Sequence, residues 1–564
     1  MTGRVFRGVP ASGGVASGTV WMISPHPGAG GNGSAGSAGL GVDQAFDAVA
    51  RDLTETAARL REGGHPEEAE IVAVGALIAE DPVLRDEVNE AVRSGREPEI
   101  AIASVAERHA ATMEALRDPV LRERAADIRQ VARRAASFLR GERVATPAGT
   151  GPRVLVAEEL GPAEVVGPGG CEVAAAVAVR GGPNSHAAIV ARSLGLPLVL
   201  GVEPSLLEVP DGTVVVVDGD RGTVTVQPAA DELGRVAAAM EAATRRRAAL
   251  AEERELPCRT TDGVPVGLLC NVGTAAETAA GLEAGADGVG LLRTELAFLD
   301  ATEWPDEEAH RRALGPILRL LPERRAVVRI LDFGGDKVPP FLFSDLPGQA
   351  GPHLRGLPSL LRDEDALGAQ LRAALDLGRD CRLGILVPMV TSLREVRMAR
   401  AVLERAAGDT GVPVPELGAM VEVPSAALLA DRLAQELEFL SIGTNDLTEH
   451  VLGVNRRDPA ARPALAAHPV VLTLMNRVAR AGRDHGCAVR VCGEGAADPL
   501  VLPLLVGIGV ESVSVSPARV DEVRARIRRL SAEECADVAR AAMAADSVEE
   551  VWDLVRAEAW PDLP

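Results

Sequence analysis

Between residues 42 and 60 the apolar positions Val42, Phe46, Val49, Leu53, Ala57 and Leu60 recur at intervals of three and four, one face of an amphipathic helix. Two later stretches share a start signal, Asp81-Pro82 and Asp118-Pro119, with aspartate placed to cap and proline at the first helical position. The pattern runs to Leu139 and stops at Gly141, so residues 42–143 read as an all-helical bundle. On both sides the period becomes that of strands: residues 4–23 before it, then 154–157, 174–180, 198–200 and a hairpin over 213–224. The bundle is therefore expected as an insertion in a small α/β domain made of residues 1–26 and 145–228. Residues 27–41, rich in Gly, Ala and Ser without apolar period, read as a flexible connection, and 229–257 as a polar linker helix.

From residue 258 the rhythm changes again. Strand candidates at 266–272, 288–292, 326–331, near Leu354, 383–390, 417–421, 439–442 and 489–491 alternate with helical patterns. A doubly wound sheet shares such alternation, but a count of eight favours a (β/α)8 barrel over 258–564. The fold class expected is α/β and multidomain.

At 564 residues the chain needs more than one core. Its 81 acidic against 59 basic side chains give a net charge of −22, and it has 2% aromatic residues and no Tyr. That balance argues against a phosphate-tracking surface or a base-stacking platform, so nucleic acid is not expected as a partner. An acidic substrate has to be gripped by a local cluster of cations. No apolar run reaches spanning length and the first residues do not read as a leader, so the expectation is a cytoplasmic protein with no membrane insertion. Seven scattered cysteines do not suggest a disulfide framework.

The chemistry concentrates at two kinds of place. Residues 181–195, Gly-Gly-Pro-Asn-Ser-His followed by a helical pattern and Gly195, set His186 in a first helical turn, with Asn184 or Ser185 as N-cap. Unpaired N–H groups and the helix dipole there favour an anion on the imidazole. A phosphoryl carrier and an incidental surface histidine both fit that placement. In a barrel, chemistry sits beyond the C-terminal strand ends. Those ends carry Arg293-Thr294-Glu295, Arg329 with Asp332 and Lys337, Arg355, Glu422, Asn445-Asp446 and Cys492-Gly493-Glu494. The arginines can clamp a substrate bearing phosphate and carboxylate. Glu422 and Asp446, without His or Cys ligands beside them, suit Mg2+ rather than zinc. Cys492 reads equally as a proton donor or a buried core cysteine.

These motifs carry a resemblance over nearly the whole chain. The stretches 181–194, 288–295, 328–337, 420–424, 441–448 and 492–494 resemble, in order and spacing, those of enzyme I of the phosphoenolpyruvate-dependent sugar phosphotransferase system. The resemblance implies a swivelling phosphohistidine domain, an inserted carrier-binding bundle and a phosphoenolpyruvate-binding barrel. It implies that His186 is phosphorylated, that Arg293, Arg329, Lys337, Arg355, Asn445 and Arg456 bind phosphoenolpyruvate, that Glu422 and Asp446 hold Mg2+, and that Cys492 protonates the enolate. It further implies a homodimer through the barrel and transfer to the phosphocarrier protein HPr. Departures from the family pattern fall at Asn184, usually Thr, at Val74-Gly75, often polar or His, and at Pro358, usually Arg. Two rival readings share the fold: a pyruvate phosphate dikinase or phosphoenolpyruvate synthase lacking its ATP domain, and a non-catalytic phosphoenolpyruvate sensor.

Overall fold

The apolar stripe of residues 42–60 is buried along its length, from Val42 at 8% exposure to Val49 at 0%, because it forms the inner face of the first helix of a bundle. In this computed structural model the described residues are 3–23, 41–62, 65–114, 119–140, 151–167, 173–182, 185–298, 301–333, 339, 342, 356–454, 462–558 and 560. The bundle comprises α1 (Val42–Glu62), α2 (Pro66–Glu80), α3 (Pro82–Arg93), α4 (Pro98–Glu114) and α5 (Pro119–Leu139). Asp81 caps α3 as its spacing predicts, accepting from the Val83 and Leu84 amides. Asp118 lies outside the described residues.

The strands flanking the bundle in sequence join one sheet: β1 (Arg4–Arg7), β2 (Val9–Ser12), β3 (Val15–Ile23), β4 (Arg153–Ala157), β5 (Val173–Ala178), β6 (Leu198–Leu200), β7 (Val214–Asp218) and β8 (Thr223–Val226). Their order is β1-β8-β7-β3-β4-β5-β6-β2, with β3 to β6 parallel. Helices α6 (Pro162–Val165) and α7 (His186–Ser193) pack on it, and α8 (Ala230–Glu252) follows. The chain divides into two compact units, Met1–Arg245 and Arg246–Pro564.

The second unit is a closed barrel of eight parallel strands: β9 (Gly267–Val272), β10 (Gly288–Leu292), β11 (Arg325–Arg329), β12 (Arg382–Val387), β13 (Glu416–Val421), β14 (Phe439–Gly443), β15 (Ala488–Cys492) and β16 (Ser512–Val515). One element differs from the sequence reading. The barrel closes through β16 pairing with β9, and β16 is not among the strand candidates; the candidate near Leu354 lies outside the described residues. Alternation in Ser512-Val513-Ser514-Val515 marks β16, but its serines are buried rather than exposed, which hides the usual half-buried signature. No disulfide forms among the described residues; Cys171 is outside them.

One buried group gives a stability prediction. His310 is fully buried, edge-on to Phe298 with ring centroids 4.8 Å apart. Among the described residues neither of its ring nitrogens has a hydrogen-bond partner. Burial pushes its pKa down from 6.5 to about 4, against a weak opposing pull from Asp306. The unfolded chain therefore binds a proton near pH 6.5 that the folded chain refuses. The neutral ring costs nothing extra above that pH, and stability falls as pH drops toward 4, by about 3 kcal/mol in the limit. His310→Leu is expected to raise the melting temperature and to flatten its fall between pH 6.5 and 4 in thermal melts. An equally steep fall in wild type and variant would contradict this.

Candidate active site

His186 opens α7, immediately after its N-cap Ser185, whose hydroxyl accepts from the Ala188 amide at 3.4 Å. Asn184, the other N-cap candidate, lies outside the described residues. The imidazole is mostly buried, with 16% of its side chain exposed, and its Nδ1 lies 3.2 and 3.3 Å from the two carboxylate oxygens of Asp127 on α5. Asp127 is a functional candidate that sequence reading missed: it stands 59 residues away, on the inserted bundle, with no local motif.

In the barrel unit, Arg293, Arg329, Glu422, Asn445, Asp446 and Cys492, six of the residues the resemblance assigns to the site, line one cavity of about 540 Å³ at the C-terminal strand ends, together with Glu295, Asp332 and Glu494. Lys337, Arg355 and Arg456 lie outside the described residues. The cavity also takes in Asn271, Asp498 and Arg519, which the sequence reading passed over. Asp498 and Arg519 follow β15 and β16, so recognising β16 would have pointed to Arg519.

Each side chain is placed by its strand end. Arg329, the last residue of β11, is buried and donates to Glu295 Oε1 at 2.6 Å, with Asp332 Oδ2 at 3.3 Å. Burial alone would weaken its charge, but Glu295, Asp332 and Glu422 outweigh that and raise its pKa. The backbone behind it is tied in: Thr294 Oγ1 donates to the Arg329 carbonyl at 2.9 Å and Gln370 Nε2 donates to Thr294 Oγ1 at 3.0 Å. Asn445 and Asp446 open the helix Thr444–Leu452 directly after β14. Asn445 Oδ1 accepts from the Glu494 amide at 3.0 Å, across a turn in which Gly493 has φ of +106°. A Cβ at Gly493 would stand 2.4 Å from Thr444 Oγ1, so the turn requires glycine.

Glu422 accepts from the Met389 amide at 2.7 Å. Its pKa is pushed up to about 8, first by burial and then by the like charges of Asp332 and Asp446, against Arg329 and the Met389 N–H. Carboxylates crowded in this way are relieved by a cation. Among the described residues no group of three or more His, Cys, Asp or Glu is arranged to hold a metal. Two hard oxygen donors facing a substrate cavity suit an ion such as Mg2+, which takes one or two carboxylates and completes its shell with substrate oxygens and water. Cys492 ends β15, 2% exposed, with Sγ 3.4 Å from Ser441 Oγ. Burial pushes the thiol up to about 11 despite the Ser441 hydrogen bond, so it keeps its proton at neutral pH. Cys492 is thus buried, as the core reading has it, and it also lines the cavity, where a proton donor would have to stand.

With this geometry in place, comparison with known proteins becomes specific. Three stretches match PEP-utilising enzymes: the N-terminal part over residues 7–124, the mobile domain over 149–222 and the PEP-binding domain over 247–532. The class so defined is that of enzymes that use phosphoenolpyruvate (PEP). A phosphoenolpyruvate-protein phosphotransferase of Streptomyces coelicolor is 38% identical over 512 residues, covering 90% of this chain and 89% of that one. One from Haloferax volcanii is 37% identical over 505 residues, covering 87% of each. A multiphosphoryl transfer protein of Rhodobacter capsulatus is 35% identical over 490 residues, 86% of this chain and 59% of that longer protein. The chain belongs to the phosphoenolpyruvate-protein phosphotransferase family.

Proposed function

We propose that this enzyme moves the phosphoryl group of PEP to His186 and from there to the phosphocarrier protein HPr. The observation that carries the reading is the convergence of Arg293, Arg329, Glu422, Asn445, Asp446 and Cys492 on one cavity. Arg293 and Arg329 offer bidentate donors to the phosphate and carboxylate of PEP, and Asn445 adds a polar contact. Lys337, Arg355 and Arg456 join this clamp on the strength of the family resemblance. Glu422 and Asp446 would hold Mg2+, which supplies charge neutralisation to the phosphoryl oxygens. The lone pair of His186 attacks phosphorus, the bond from phosphorus to the enolate oxygen breaks, and C3 of the enolate takes the thiol proton of Cys492. Transfer in two steps requires His186 to reach the donor first and the carrier second. The bundle of residues 42–143 is the proposed carrier-docking module; Leu77 and Val83 expose 63% and 57% of their surface there, apolar area available to a partner. We place the protein in the cytoplasm as a homodimer through the barrel. No described helix is long and apolar enough to cross a membrane.

Donor choice tests this reading against its rivals. Label from PEP with Mg2+ is expected on the protein and then on added HPr, and label from the β or γ position of ATP on neither. Labelling by ATP would establish the dikinase-type reaction. Binding of PEP with no covalent label would establish a sensor.

A further inference from the structure

We propose that Ser441 is a positioning residue that holds the sulfur of Cys492 with its hydroxyl, an inference that rests on Cys492 being the proton donor. Ser441 opens the stretch 441–448, whose Asn445 and Asp446 line the cavity while the serine itself does not. Along β14, Leu440 and Ile442 belong to the large apolar core, and strand alternation turns Phe439 and Ser441 to the opposite face, the inside of the barrel. There Leu291, Val327, Leu386, Met420 and Phe439 pack with Cys492 as an apolar plug, and Leu291, Met420 and Cys492 also line the cavity.

A serine 2% exposed beside such a plug needs a partner for its hydroxyl. Among the described residues it has one: Ser441 Oγ donates to Cys492 Sγ at 3.4 Å. The residues opposite it in the sheet are poor alternatives. Met420 on β13 offers only a weak thioether acceptor. Arg490 on β15 carries donors alone; it donates to Glu416 Oε2 at 3.1 Å and lies 4.2 Å over the Phe439 ring. The serine is therefore committed to the sulfur.

The contact matters most once the proton has gone. As the S–H bond breaks, its electron pair stays on sulfur, the proton bonds to C3 of the enolate, and the enolate oxygen becomes the ketone oxygen of pyruvate. The thiolate so formed can only accept. The Ile442 carbonyl, 3.6 Å from Sγ, then faces it with a lone pair, whereas the Ser441 hydroxyl faces it with a proton. A donor already aimed at the atom where charge develops needs no reorganisation during the step. Water in the cavity reprotonates the thiolate after pyruvate leaves.

The test follows two rates in the full-length protein with labelled PEP and Mg2+: one round of His186 labelling, and release of pyruvate. In Ser441→Ala the label is expected to appear at the wild-type rate with KM for PEP unchanged, because Ser441 does not line the cavity. Pyruvate release is expected to slow about 10- to 100-fold, less than the loss of an oxyanion-hole donor costs, since sulfur is the weaker acceptor. Ser441→Thr, which keeps the hydroxyl, should recover most of the rate. The double variant Ser441→Ala/Cys492→Ala should release pyruvate no more slowly than Cys492→Ala, because a hydroxyl that acts through the thiol has nothing to act on without it. A loss in the double variant that multiplies the two single losses overturns the proposal, and so does wild-type release from Ser441→Ala. Should Ser441→Ala fail to fold, Ser441→Cys, similar in size and a weaker donor, is measured in its place with the same expectations. If Cys492→Ala itself releases pyruvate at the wild-type rate, the donor reading fails and the proposal falls with it.

Discussion

Incubated with labelled PEP and Mg2+, His186→Ala is expected to carry no label above background, while wild type takes a stoichiometric phosphoryl group that is acid-labile and base-stable, as a phosphohistidine is. The loss should be complete rather than graded, because in the proposed reaction His186 supplies the bond-forming lone pair. Its neighbour Asp127 is a poor replacement acceptor, being buried and already engaged with the imidazole. The variant removes a partly buried ring at the start of α7, so a modest loss of stability is expected, and melting curves separate that from loss of the acceptor. PEP should still bind to the variant, since the cavity proposed to take it is lined wholly by barrel residues. Persistent base-stable label on His186→Ala would move the acceptor elsewhere.

The second large effect belongs to Cys492. In Cys492→Ala the formation of pyruvate from PEP is expected to slow by about 10²- to 10⁴-fold, the range typical of a lost general acid. A single round of His186 labelling should fall far less, because phosphorus–oxygen cleavage precedes protonation at carbon. The thiol is suited to this work because burial holds its pKa at about 11, so it enters each turnover protonated at neutral pH. Stereochemistry gives the sharper readout. With PEP stereospecifically deuterated at C3 and the reaction run in tritiated water, wild type should add the triton to one face and give a chiral methyl group, whereas the variant, protonated by water, should lose that selectivity. Retained facial selectivity in Cys492→Ala would exclude the thiol as donor.

Much of this was legible in the sequence because the signals are periodic and local. The interval of three and four from Val42 to Leu60 can only bury one face of a helix, and the alternation after residue 258 can only wind strands and helices. Arg293, Arg329, Glu422, Asn445, Asp446 and Cys492 were readable as one site because closing a parallel barrel brings every C-terminal strand end to one rim. What escaped is what depends on tertiary structure. In β16 the buried serines invert the expected polarity, and the contribution of Arg519 was lost with that strand. The pairing of Asp127 with His186 arises from docking an inserted bundle on a sheet, and no spacing along the chain announces it.

Arg329 has a further consequence. Free arginine side chains carry about 2 kcal/mol of rotamer entropy, which an incoming anion normally has to quench. Here Glu295 and Asp332 already hold the guanidinium still, so that quenching happens once, when the chain folds. An anion entering the barrel meets a stationary target, and loosening either carboxylate would shift the loss back into every encounter. How tightly an anion is caught there is thus decided in part by the two carboxylates that hold the arginine.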